Sequence, residues 1–173
     1  FPNYTKYNID IKSTNSFPTA AGMASSASGM AALVCALNHV LAEGKLDECE
    51  LSKLARLGSG SACRSVYGGF VKWHNLDAVQ VFDEAHWPEL RCLIVVVEGS
   101  EKKTSSREGM QRTVKTSTLY QQRLKEVDSR IEQLECAIKA RDFERFAEIC
   151  MIESNQLHAV CLDSFPPIHY LTD

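Results

Sequence analysis

The chain has 173 residues, 45% of them apolar and 24% charged, with a formal net charge of −3. That length is enough for one ordinary domain or two small ones. The slight negative balance gives no pull toward nucleic acid or an anionic membrane surface.

No apolar run reaches the ~20 residues that a membrane helix needs; the run after Ala31 is broken by Asn38 and His39. The first residues do not resemble a signal peptide. Seven cysteines are scattered without a CxxC pair, and Cys35, Cys92, Cys136 and Cys150 fall inside apolar patterns. This predicts reduced, buried thiols and a cytoplasmic protein. The five histidines form no HExxH pair, and no metal-ligand set is expected.

Residues 4–12, YTKYNIDIK, alternate apolar and polar side chains, which predicts a half-buried strand. A loop follows, and then a helix from Ser25 to Ala42 with Gly44 as its stop. Asp47 and Glu50 mark the start of a second helix, whose apolar side is Leu51, Leu54, Ala55 and Leu57. Residues 58–69 are small and glycine-rich. Gly69 to His74 reads as a strand, with Val79 to Phe82 its hairpin partner. After Trp87-Pro88, the β-branched run Leu90 to Val97 predicts a fully buried strand. Residues 104–115 are polar and basic. Apolar residues at helical spacing from Thr118 to Lys139 predict a helix, and another begins after Asp142. A domain border is expected near Ala85–Trp87, dividing residues 1–85 from 86–173.

Three stretches suit anions. In FPTAAGMASSASG, Pro18 and Gly22 shape a loop, and Ser25 and Ser26 fall at a helix start. The first amides of a helix lack intrahelical partners and carry positive dipole charge, so phosphate fits there. A capped core helix explains the same residues without a ligand. The second stretch, Gly58-Ser59-Gly60-Ser61-Ala62-Cys63-Arg64, joins a flexible backbone and hydroxyls to a guanidinium fork. A glycine-rich turn with a surface arginine is its plain alternative. The third, Glu101 to Arg107, follows the expected buried strand, and ligands of α/β sheets often sit off strand ends. Its plain alternative is a solvated charged loop. Together they suggest one site for several phosphates.

The phosphate-loop residues Pro18, Gly22, Met23, Ser25, Ser26 and Ala27 resemble those of the GHMP kinase superfamily. With GSGSACRSVYGGFVKW, HWPELR, EKKTSSREGM and SNQLHAVCLDSFPPI in order, the chain looks like the mevalonate diphosphate decarboxylase family within it. The resemblance implies an α/β (α+β) fold of two domains, a ribosomal protein S5 domain 2-like part followed by a ferredoxin-like part, both incomplete here. It implies ATP and Mg²⁺, a mevalonate 5-diphosphate substrate, an isopentenyl diphosphate product, and a homodimer when full length.

By the same resemblance, Gly22, Ala24, Ser25 and Ser26 hold the ATP phosphates, and Ser26 contacts the transferring group. Ser59 and Ser61 bind substrate, Arg64 pairs with its carboxylate, and Ser106 and Arg107 grip its diphosphate. Arg64 and Ser26 are thus the expected catalytic residues. The family's catalytic aspartate lies in a motif that Asp163 does not match, so an internal piece of the enzyme, inactive alone, is expected. A related kinase such as a phosphomevalonate kinase, or a non-catalytic relative, is the competing reading. His158, Trp73 and Trp87 are expected to pack or support rather than bind ligand.

Overall fold

The computed structural model describes residues 8–19, 22–97 and 103–171. The chain divides into two compact units, Phe1–Glu101 and Lys102–Asp173.

In the first unit, helix α1 runs Ser25–Leu41 and helix α2 runs Glu48–Gly58. Gly44 sits at φ +72°, where glycine carries no side-chain penalty. Its N–H and that of Ala42 both donate to Asn38 O, at 2.9 and 3.0 Å, which closes α1. Asn38 is the polar break in the apolar run, yet it is buried. Its side chain donates to Leu46 O at 3.2 Å and accepts from Leu46 N–H at 3.1 Å. The cost of burying an amide is thereby offset. Asp47 and Glu50 form a reciprocal capping box at the start of α2, as their spacing predicts.

A seven-residue 3-10 helix, Gly60–Val66, follows where the sequence reads as an open glycine-rich loop. Ala27 of α1, Ala55 of α2 and Ala62 of the 3-10 helix form the core here, with Met30, Val34 and Val66 packed around them. Alanine lets three helical backbones approach closely. Strands β1 (Phe70–His74) and β2 (Asp77–Phe82) pair antiparallel, with His74 opposite Asp77. Asn75 turns the hairpin at φ 54°, a region asparagine tolerates. Ser52 fastens the parts together. Its buried hydroxyl donates to Cys63 O at 3.0 Å and accepts from Ala78 N–H at 2.9 Å.

Two predicted strands are not found. Residues 8–12 carry no regular structure and are exposed; residues 4–7 lie outside the described residues. The run 90–97 has no strand either, and Leu93 is 88% and Val97 79% exposed. Apolar patterning records a tendency toward burial, but a strand forms only when a neighbour accepts its backbone hydrogen bonds. Among the described residues neither segment has one. The thiols also differ from expectation: Cys35, Cys92, Cys136 and Cys150 are exposed, while Cys63 and Cys161 are buried. All seven cysteines are free.

In the second unit, helix α3 spans Ser106–Thr116, α4 Tyr120–Ala140 and α5 Phe143–Leu162. The polar, basic stretch 104–115 is therefore mostly helix. Ser105 caps it by accepting from Glu108 N–H at 3.2 Å, a signal that its basic composition obscures. Arg141 in the left-handed conformation and Asp142 as the next cap reverse the chain between α4 and α5. Arg123 and Arg130 of α4 reach Glu153 of α5, while Arg145 reaches back to Gln133, so the two helices run antiparallel. Hydrogen bonds from Arg123 and Arg130 hold the Glu153 carboxyl below its usual range, against the upward push of burial. Asp163 accepts from Leu119 N–H at 3.0 Å and from Ser117 Oγ at 2.8 Å, with Thr118 Oγ1 at 3.1 Å. It ties the end of α5 to the start of α4. That is a structural task, consistent with leaving it out of the predicted catalytic set.

Candidate active site

The opening loop reaches α1 through an unusual cap. Gly22 lies at φ +87° and Ala24 at φ 55°, ψ 38°, both left-handed. Ala24 O accepts from Ala27 N–H at 3.0 Å and Ser28 N–H at 3.1 Å. No side chain caps the helix, and its first turn contains no acidic residue. The serines therefore do not cap α1, as the sequence alone allows; they are its first two residues. No acidic side chain in that first turn compensates the positive end of the dipole.

Ser26 Oγ lies 3.3 Å from Ser59 Oγ. Ser59 is the extended residue between α2 and the 3-10 helix, so it ends one element and begins the next. This contact joins two of the sequence-predicted stretches in space. Ser61 and Arg64 follow on the same 3-10 helix, which Ser52 anchors through Cys63 O. The Cys63 thiol donates to Gly60 O at 3.2 Å, and burial pushes its pKa up. It stays a neutral packing group rather than a nucleophile.

Arg64 is exposed, and its Cζ lies 5.7 Å from the centre of the Trp73 ring. Arg56 Cζ is also 5.7 Å from that centre. Among the described residues, neither guanidinium forms an ion pair with a carboxylate. This leaves a local positive excess in a chain whose total charge is negative. Sequence reasoning missed Arg56, although its place at the last turn of α2, two residues before the GSGSACR segment, was visible. Trp87 is buried, as a packing residue should be, but Trp73 is 39% exposed beneath the two cations.

Ser106 and Arg107 are the first two residues of α3 and belong to the second unit. Both are exposed. His158 lies half-buried on α5 in that unit. No cluster of three or more His, Cys, Asp or Glu that could hold a metal occurs among the described residues. No helix is long and apolar enough to cross a membrane among the described residues.

Comparison with known proteins follows the same order along the chain. Residues 2–81 match the diphosphomevalonate decarboxylase-like N-terminal domain. Residues 92–173 match the mevalonate 5-diphosphate decarboxylase C-terminal domain. A diphosphomevalonate decarboxylase of Candida albicans is 50% identical over 181 aligned positions, covering 99% of this chain and 50% of that protein. A crystal structure of mevalonate 5-diphosphate decarboxylase superposes with a TM-score of 0.84 at 47% identity, covering 92% of this chain and 43% of that one. Another, MDDEF in complex with MVAPP, AMPPCP and magnesium, gives a TM-score of 0.80 at 43% identity, covering 90% of this chain and 49% of that one. The chain spans 45% of the length of one curated relative and 50% of another. Matched on both halves, by sequence and by mixed α/β fold, the chain belongs to the diphosphomevalonate decarboxylase family.

Proposed function

We propose that the whole protein converts mevalonate 5-diphosphate to isopentenyl diphosphate, a precursor for isoprenoids and sterols, consuming ATP and releasing CO₂, ADP and phosphate. The observation that supports this most directly is the 3.3 Å contact between Ser26 and Ser59, which brings the phosphate-loop helix to the segment carrying Arg64.

The left-handed Gly22 and Ala24 present the start of α1 with Ser25 and Ser26 as its leading residues. This donor set, free of acidic side chains, fits the ATP phosphates. Bound Mg²⁺ would supply charge neutralisation of those phosphates, and the Ser26 hydroxyl would be a protein oxygen available to it. The MDDEF complex with AMPPCP and magnesium supports ATP and Mg²⁺ as the cofactors.

The substrate's tertiary C3 hydroxyl attacks the terminal phosphorus of ATP, the bond from that phosphorus to ADP breaks, and by resemblance the hydroxyl proton passes to the family's catalytic aspartate. Positioning and electrostatics govern such a transfer, and Ser26 donates toward the moving group. The C3–O bond then breaks with its electron pair on phosphate. The bond from C2 to the carboxyl carbon follows, its electrons forming the alkene as CO₂ departs. Arg64 orients the carboxylate through a bidentate fork. Ser59 and Ser61 hold the same end of the substrate, and Ser106 and Arg107 hold its diphosphate at the start of α3. By resemblance, the full-length enzyme is a cytoplasmic homodimer.

Arg64→Ala in the full-length protein tests the reading. With ATP, Mg²⁺ and mevalonate 5-diphosphate, CO₂ release should fall by several orders of magnitude. ADP formation without CO₂ from the unaltered enzyme would instead identify a kinase that stops at phosphorylation.

A further inference from the structure

Resting on that reading of Arg64, we infer that Trp73 is a positioning residue, an indole platform that holds the Arg64 guanidinium in its working place. Four observations support it. Arg64 Cζ is 5.7 Å from the ring centre, within cation–π range. The ring is fixed at its other end, because Trp73 Nε1–H donates to Asn75 O at 3.1 Å across the hairpin turn. It also lies hard against the segment that carries Arg64, since a methyl group added at Gly60 would come within 3.0 Å of Trp73 Cη2. Finally, among the described residues Arg64 has no carboxylate partner to orient it. An arginine has several rotatable bonds, and an exposed one with no ion pair is ordinarily mobile. Here the ring face restricts it without neutralising its charge.

That distinction matters for the chemistry. A carboxylate partner would fix Arg64 equally well, but it would compete with the substrate's own carboxylate. An aromatic face attracts the cation and leaves the N–H fork open. Arg56 adds to the effect. Its Cζ is also 5.7 Å from the ring centre, and its buried Nε has no hydrogen-bond partner. The same indole thus draws in two cations that repel each other, and an arriving carboxylate relieves the repulsion.

The test is a double-mutant cycle in the full-length enzyme, measured as kcat/KM for mevalonate 5-diphosphate with CO₂ as the readout. Trp73→Leu removes the ring; Trp73→Phe keeps a weaker aromatic face and loses the Nε1 donor. Trp73→Leu should lower kcat/KM on the order of tenfold, and Trp73→Phe by about threefold. In an Arg64→Gln background each should change kcat/KM by less than about twofold, because the group being positioned is gone. A purely structural Trp73 would cost the same factor with or without Arg64, and that additivity overturns the proposal. Where Trp73→Leu melts below the assay temperature, Trp73→Phe alone carries the cycle by the same criterion. If Arg64→Gln itself leaves CO₂ release unchanged, the role assigned to Arg64 falls, and this one with it. A large Arg64→Gln loss with an additive cycle removes only the platform.

Discussion

Ser26 and Ser59 are 33 positions apart in the chain, yet their hydroxyl oxygens stand 3.3 Å apart. One begins α1 and the other ends α2, so the packing of two helices sets the distance between proposed phosphate and substrate contacts. The two serines should separate in kinetics. Ser26→Ala should lower kcat by roughly 10²–10³, the usual cost of one donor to transferring charge, with a small change in KM for ATP. Ser59→Ala should act mainly on KM for mevalonate 5-diphosphate. Steady-state assays of the full-length enzyme decide this, and identical kinetic signatures for the two variants would refute the division of labour.

Gly58, the last residue of α2, faces Met30 of α1. A methyl group there would lie 2.2 Å from Met30 Sδ and 2.8 Å from Met30 Cγ. Because Gly58 is exposed and the half-buried Met30 side chain is flexible enough to turn aside, Gly58→Ala should destabilise the protein by no more than ~1 kcal/mol. Adding Met30→Ala should recover part of the loss by making room. Urea unfolding of both variants measures it, and no recovery would show that Met30 is not the obstacle.

Ser52 holds the 3-10 helix to the hairpin through a single buried hydroxyl. Ser52→Ala leaves the Ala78 N–H without its acceptor, which should cost ~1–3 kcal/mol. Because Cys63 O is released next to Arg64, kcat/KM should fall as well. A variant with unchanged denaturation midpoint and unchanged activity would contradict the fastening role.

Acid should loosen the second unit. Backbone N–H donation from Leu119, with the Ser117 and Thr118 hydroxyls, holds the Asp163 carboxyl below its ordinary range. Glu153 is lowered as well: burial pushes it up, but the hydrogen bonds and charges of Arg123 and Arg130 together outweigh that push. A carboxyl depressed in the folded state contributes its full stability above the unfolded pKa of ~4 and loses it as pH falls through the folded value. The melting temperature should therefore decline as pH drops below ~4. Asp163→Asn should melt lower than wild type at neutral pH and show a flatter decline. Parallel acid profiles for the two proteins would rule out Asp163 as a contributor.

Local signals were legible in the sequence where they were self-contained. The Asp47–Glu50 box, the α1 stop at Gly44 and the β1–β2 hairpin each follow from a few neighbouring residues. The run 90–97 failed because a strand depends on a partner elsewhere. Helix α3 was hidden because its cap, Ser105, sits inside a basic stretch that reads as loop. At the candidate site, residue types in GSGSACR pointed to anion chemistry. The Trp73 ring beside Arg56 and Arg64 was not readable, because three elements must fold before they meet.

Ala24 carries a conformational cost at the entry to α1. At φ 55° an alanine costs about 1 kcal/mol relative to glycine, which would occupy that angle freely. Glycine would also let the loop wander through many other backbone shapes. A methyl group removes most of those shapes and keeps one that the rest of the fold must enforce. The protein thus gives up a little robustness at Ala24 for a fixed entry into α1, and under the proposed function a phosphate would meet that entry already set rather than having to mould it.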